Sequence, residues 1–131
     1  MRERLEQLLN NSYAKYSNFR VACLCVMNDG TMIPGVNVEN ASYGASICAE
    51  RVAVTGAIAR GYKKGDFKEL HVMCDSDKIG MPCFICRQVI SEFFDKEAKV
   101  YVYSRNTMDE YTIQEICPYP FNEDNLWKVE W

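Results

Sequence analysis

The chain of 131 residues contains no run of Lys or Arg, and its formal charge is −3. Binding a polyanion requires clustered positive charge, so nucleic acid and anionic membrane are excluded as main partners. No apolar stretch approaches the ~20 residues that a membrane-spanning helix needs. Histidine is nearly missing: His71 is the only one, and it lies away from the cysteine motifs, so a structural or surface role is expected of it. There is no internal repeat and no linker, which predicts one domain over residues 1–131. Neither a basic n-region nor an apolar h-region is found at Met1-Arg-Glu-Arg-Leu-Glu, so no secretory segment is expected. What the chain does have is cysteine, seven in all, at 23, 25, 48, 74, 83, 86 and 117. An odd count argues against a disulfide framework and for reduced thiols in a soluble, cytoplasmic protein.

Apolar periodicity at Leu5, Leu8, Leu9 and Tyr13 predicts an amphipathic helix over residues 1–14. Residues 17–27 read as a strand that is apolar on both faces, and therefore covered on both sides. Asn28-Asp29-Gly30-Thr31 is a hairpin turn, and residues 32–38 return as its partner. Pro34 cannot donate to a ladder, which places this second strand at an edge or a bulge. Residues 48–60 read as a helix closed by Gly61. Gly56 inside it costs about 1 kcal/mol against alanine, so close approach of another helix is expected there, from this chain or another subunit. Further strands are predicted at 68–74, 99–103 and 111–113. A helix is expected over 83–95, with a helical turn at 114–117. Residues 75–80 read as a solvated loop. Trp127 and Trp131 are bulky enough to need a surface to pack against. Strands alternating with helices imply an α/β layer fold with helices on both faces of one sheet.

Chemistry concentrates at Cys48-Ala49-Glu50-Arg51 and Pro82-Cys83-Phe84-Ile85-Cys86. Cys83 and Cys86, three residues apart on a helix, share one side of it. Cys48 and Cys83 each open a helix, where partial positive charge and unpaired N–H groups favour thiolate. Three thiolates suit Zn²⁺, and a set of three leaves a fourth position for water, as in catalytic zinc sites. Three thiolates outweigh the charge of the ion, so Arg51 and Arg87 are expected to draw off negative charge, one or both by hydrogen bonding to sulfur. The alternative, a surface arginine on a helix, weighs equally for Arg87 and less for Arg51. Glu50, in the first turn of a largely apolar helix, is placed to pass a proton; its alternative is to complement the helix dipole. Asn37 and Glu39 leave the end of a strand, where they either line a pocket or are solvated.

At these residues the sequence resembles the zinc nucleobase deaminases, which combine a Cys/His-X-Glu segment with Pro-Cys-X-X-Cys. It is most similar to the small homotetrameric cytidine deaminases of pyrimidine salvage. The likeness extends to Tyr16-Ser17-Asn18-Phe19, residues 35–41, Cys86-Arg87-Gln88-Val89 and Glu115-Ile116-Cys117-Pro118. It implies a three-layer α/β/α cytidine deaminase-like fold with a five-stranded mixed sheet. It also implies hydrolysis of cytidine and 2′-deoxycytidine to the uridines plus ammonia. Carried over, Cys48, Cys83 and Cys86 hold one Zn²⁺ per subunit and Glu50 shuttles the proton. Asn37 and Glu39 meet the ribose 3′-hydroxyl, Phe19 stacks near the pyrimidine, and the Ala49 backbone meets the base. Phe121, Ala41 and Tyr43 reach a neighbouring subunit's pocket, so the active sites of the homotetramer are shared. Two departures bear on this: Phe84 and Ile85 replace the usual Gly-Ala, and Arg20 and Ala22 replace Pro and Gly. The competing expectations are a deaminase of another aminopyrimidine nucleoside and a non-catalytic, zinc-stabilised module.

Overall fold

A computed structural model describes residues 1–126. A single sheet of order β2-β1-β3-β4-β5 runs through it, formed by β1 (Val21–Met27), β2 (Met32–Val36), β3 (Phe67–Cys74), β4 (Phe94–Tyr103) and β5 (Met108–Thr112). Only β3 and β4 pair parallel; the other neighbours are antiparallel. Helix α1 (Arg2–Leu9) covers one face of the sheet. Helices α2 (Ala49–Ala59), α3 (Phe84–Phe93) and α4 (Ile113–Ile116) cover the other. The result is the expected three-layer α/β/α arrangement on a mixed sheet.

Strand β1 shows why the layers form. Cys23, Cys25 and Met27 point into the larger core with α2 and α3, while Ala22 and Leu24 sit with Leu5 and Leu9 of α1. Alternation on a pleated strand sends successive side chains to opposite faces, and here both faces are apolar. Cys23 and Cys25 are therefore core residues. Pro34 lies on β2 at the sheet edge, as its missing N–H requires.

Several predicted boundaries are corrected. Helix α1 stops at Leu9 rather than reaching residue 14, and Tyr13 is outside it, half-exposed and bridged to Val38. Strand β1 begins at Val21, not residue 17, because residues 16–19 bond to side chains instead of a ladder, with Asn18 at φ 58°. Strand β4 starts directly at the end of α3, and β5 is Met108–Thr112, so Ile113 opens a helix instead of closing a strand. His71 is buried between Glu69 and Tyr103, a structural position. Within this chain a Cβ on Gly56 would come no nearer than 4.0 Å to Ile33, so the approach expected there falls to another subunit; this chain's own close approach lies elsewhere. It occurs at Gly35, where a Cβ would lie 2.3 Å from the Ala49 carbonyl and 2.6 Å from the Ala53 nitrogen. The small residues of α2 thus serve helix-on-sheet contact. Trp127 and Trp131 lie outside the described residues.

Candidate active site

The site forms where α2 and α3 begin. Cys48 is the N-cap of α2, Cys83 is the N-cap of α3, and Cys86 sits within the first turn of α3. Their three sulfurs lie within 4.8 Å of one another, with Cys48 Sγ and Cys83 Sγ 3.9 Å apart. The N–H groups at the start of α3 face this cluster, and the Cys86 N–H donates to Cys83 Sγ at 3.5 Å. Arg51, one turn into α2, donates from Nη2 to Cys48 Sγ at 3.4 Å.

Electrostatics divides the thiols. The hydrogen bond from Cys86, joined by those of Arg51 and Cys83, pulls the Cys48 thiol down to about 5 despite partial burial. The same Cys86–Cys48 bond, together with burial and the nearby Glu50, pushes the Cys86 thiol far up. The Arg51 guanidinium is raised in turn, chiefly by Cys48, and its buried Nε has no hydrogen-bond partner among the described residues.

This donor set suits zinc. Tetrahedral coordination with bonds of ~2.3 Å to sulfur separates neighbouring ligands by roughly 3.8 Å, close to the spacing of Cys48 and Cys83. No fourth His, Cys, Asp or Glu joins the group among the described residues, which is the composition of an open site rather than a closed structural one. Glu50 projects from the same first turn of α2 and is 4 % exposed. Burial raises its carboxyl above the usual range, with the Cys86 bond opposing.

Around these groups lies a pocket of about 340 Å³. Cys48, Ala49, Glu50, Arg51 and Cys83 line its inner end; Phe19, Val21, Asn37 and Glu39 form one side, and Gly80, Met81 and Pro82 the other. Its size is near the lower end of the ~300–1,000 Å³ usual for small-molecule sites.

Most predicted site residues converge here, but not all in the expected way. Asn37 is buried: its Oδ1 accepts from the Val21 N–H at 2.9 Å and from Ser12, and its Nδ2 donates to the Phe19 carbonyl at 2.7 Å. Glu39 accepts from the backbone of Tyr16 and Ser17 and from the Ser17 hydroxyl, which holds its carboxyl below the usual range. Both residues face the pocket and also fasten the loop that carries Phe19. Of the two arginines expected to bond sulfur, one or both, Arg87 turns elsewhere. It donates to the Pro82 carbonyl at 2.7 Å and the Ile116 carbonyl at 3.1 Å, with its guanidinium 4.3 Å from the centre of the Phe84 ring. Among the described hydrogen bonds it makes none to sulfur; Arg51 alone of the two does. Phe84 is 76 % exposed and Ile85 is also exposed, so the bulk between the cysteines turns away from the pocket. Ala41, Tyr43 and Phe121 do not line this chain's own pocket. Tyr43 is 78 % exposed beside Tyr16, and Phe121 is held against α3 by Gln88.

Sequence reasoning missed Ser46, Ile47, Cys74, Gly80 and Met81, all of which border the pocket. The stretch 75–80 is not simply solvated: Asp75 is half-buried in ion pairs and Gly80 meets Phe19. The available signal was connectivity. A short segment joining the end of a strand to Pro82-Cys83 has to pass the metal ligands.

Known proteins share this arrangement. A family profile described as the cytidine and deoxycytidylate deaminase zinc-binding region matches residues 1–103. A cytidine deaminase of Halalkalibacterium halodurans is 36% identical over 121 residues, 92% of this chain and 90% of that protein. A probable cytidine deaminase of Dictyostelium discoideum is 39% identical over 116 residues, 88% of this chain and 77% of that one. The crystal structure of a cytidine deaminase from Burkholderia pseudomallei superposes with a TM-score of 0.87 at 36% identity, covering 91% of this chain and 94% of that one.

Proposed function

This chain belongs to the cytidine and deoxycytidylate deaminase family, and on that footing we propose that it hydrolyses cytidine and 2′-deoxycytidine to uridine or 2′-deoxyuridine and ammonia. One observation carries the reading: a buried glutamate and two of three clustered cysteines, Cys48 and Cys83, line one nucleoside-sized pocket, with Cys86 completing the sulfur cluster beside it. Zinc held by Cys48, Cys83 and Cys86 supplies Lewis-acid activation of water at neutral pH. The protein supplies the rest. In the reaction a C4–O bond forms and the C4–N bond breaks; of the two protons of the attacking water one ends on ring N3 and the other must reach the departing 4-amino nitrogen, which leaves as ammonia. Glu50 carries it. Its carboxyl is buried and held above the usual carboxylate range, the direction that suits a group which both accepts and releases a proton. Arg51 keeps the sulfur cluster compensated.

At the outer end, Asn37 Nδ2 has one N–H beyond its bond to Phe19, and Glu39 has lone pairs beyond its three bonds. We assign these to the ribose 3′-hydroxyl, which leaves the 2′ position unread and admits both nucleosides. The Phe19 ring and the Ala49 backbone flank the base. Phe84 and Ile85 face outward, so they do not narrow the base site. We further infer a homotetramer in which Ala41, Tyr43 and Phe121, exposed on the lone chain, complete a neighbour's pocket. No helix among the described residues is long and apolar enough to cross a membrane. Seven free cysteines, three of them in the metal site, suit a reducing compartment, and we place the protein in the cytoplasm.

The test is the loss of cytidine absorbance with zinc-loaded protein. Turnover is expected, and none at full zinc occupancy rejects the assignment. The Glu50→Gln variant is expected to keep its zinc and lose at least about 10²-fold in kcat, the usual scale of a positioned proton carrier.

A further inference from the structure

Loop 75–82 forms one wall of the pocket, delivers Cys83, and is held at both ends by arginine. At its start Asp75 Oδ2 accepts from Arg20, at 2.9 Å from Nε and also from Nη2, while Oδ1 accepts from Arg105 Nε at 2.8 Å. The backbone repeats the connection: the Asp75 N–H donates to the Arg20 carbonyl at 3.0 Å and the Arg105 N–H to the Ser76 carbonyl at 2.8 Å. At the loop's end Arg87 holds the Pro82 carbonyl. The facing wall is Phe19, the residue before Arg20. The two walls meet at Gly80, where a Cβ would lie 3.6 Å from Phe19 Cζ and 3.3 Å from Cys74 Sγ. An ion pair between Arg20 and Asp75 therefore ties the base of one wall to the base of the other.

We propose that Arg20 and Arg105, acting through Asp75, are positioning residues that fix how Phe19 packs against loop 75–82, and with it the shape of the pocket that grips a pyrimidine nucleoside. The proposal rests on the reading of this pocket as a nucleoside site. Arg20 forks onto a single carboxylate, a geometry that fixes orientation as well as distance. Both arginine side chains are more than a third exposed, so the pairs contribute little to global stability and their effect falls on local geometry. The two guanidiniums, Arg20 first, hold the Asp75 carboxyl below its usual range, so the tie stays ionised at neutral pH. Neither arginine touches the sulfurs or lines the pocket, so the consequence belongs in binding rather than in the chemical step.

The experiment compares wild type with Arg20→Ala, Asp75→Asn, their double variant and Arg20→Lys. It measures KM and kcat for cytidine, Kd for uridine by calorimetry, zinc content and Tm. A misplaced wall is expected to raise KM and the uridine Kd about tenfold in either single variant, with kcat within about twofold, the pattern of lost uniform binding. Zinc content stays unchanged. The double variant is expected to be no worse than Asp75→Asn, because the two changes remove one interaction. Lysine, which cannot fork, restores only part of the affinity. Unchanged KM and Kd in both single variants of an active enzyme overturn the positioning role. So does a parallel fall of kcat, zinc content and Tm, which marks a scaffold defect. A wild type that neither deaminates cytidine nor binds uridine removes the nucleoside reading, and this inference with it.

Discussion

At the scale of single residues, the most informative contrast is between two arginines that each follow a metal-site residue in sequence. Arg51 reaches a sulfur and Arg87 does not. Spacing allows a sulfur contact for both, and the acceptors each guanidinium meets decide between them. Arg51 lies three residues after Cys48, the spacing that brings side chains together on one helix face. Arg87 lies one residue after Cys86 and four after Cys83, and its guanidinium turns to the carbonyls of Pro82 and Ile116. A consequence for metal binding follows. With Arg51 in place, Cys48 is a thiolate well below neutral pH. Removing the guanidinium raises that thiol towards the ordinary cysteine value, so protons compete with the metal over a wider range. Arg51→Ala is therefore expected to bind zinc about 10–100-fold more weakly, the usual effect of losing a group that supports a ligand. Cys86 is the first cause of the low Cys48 value and Arg51 adds to it, so the deficit should widen as pH falls from 8 to about 6, where protons compete better for the variant's Cys48 than for the wild type's. Zinc titration against a competing chelator at several pH values measures both effects.

At the scale of elements, the start of α2 is fixed by what lies beneath it. Gly35 of β2 sits against the Ala49 carbonyl and the Ala53 nitrogen, so no side chain fits between strand and helix. Gly35→Ala must push away the first turn of α2, which carries Cys48, Glu50 and Arg51. The expected cost is about 1–3 kcal/mol of stability, typical of overpacking, together with loss of turnover, because three site residues shift at once. Urea unfolding and the cytidine assay measure these, and a Gly35→Ala protein with wild-type activity would show that the helix start has slack. The sequence made α2, α3 and β1 plain, since their apolar periodicity and the turn at Gly30 are local signals. It concealed where β5 begins, since Asp109 and Glu110 on an exposed edge strand leave no apolar alternation to read. It also concealed where β4 begins, because α3 passes into the strand at Phe94 with no intervening turn. The Gly35 contact depends on the register between distant elements and leaves no local signal. The metal site itself was legible because helix starts and an i, i+3 spacing are short-range features. The Arg20–Asp75–Arg105 connection, across strand ends 30 to 55 residues apart, was not.

At the scale of the whole molecule, the lone chain has a pocket complete at the metal end and open at the other, while bulky side chains stand exposed away from it. Phe121 is half-exposed and anchored through its backbone to Gln88, so its ring is presented outward from α3 and does not serve its own chain's pocket. If a closed assembly of identical subunits brings that ring to a neighbour's site, one chain supplies Glu50 and another supplies Phe121 to the same reaction. Two defective variants then become complementary. Glu50→Gln has no proton carrier but keeps its Phe121; Phe121→Ala keeps its Glu50 but leaves its neighbour's pocket unfinished. Unfolding the two together and refolding them as mixed oligomers creates pockets that pair an intact Glu50 with an intact phenylalanine from the adjacent chain. Activity above the sum of the two separately refolded variants is expected, and sedimentation of the same sample should report an assembly larger than the chain. Activity no greater than that sum, from subunits shown to have mixed, would mean that each chain completes its own site and that Phe121 is exposed for another reason.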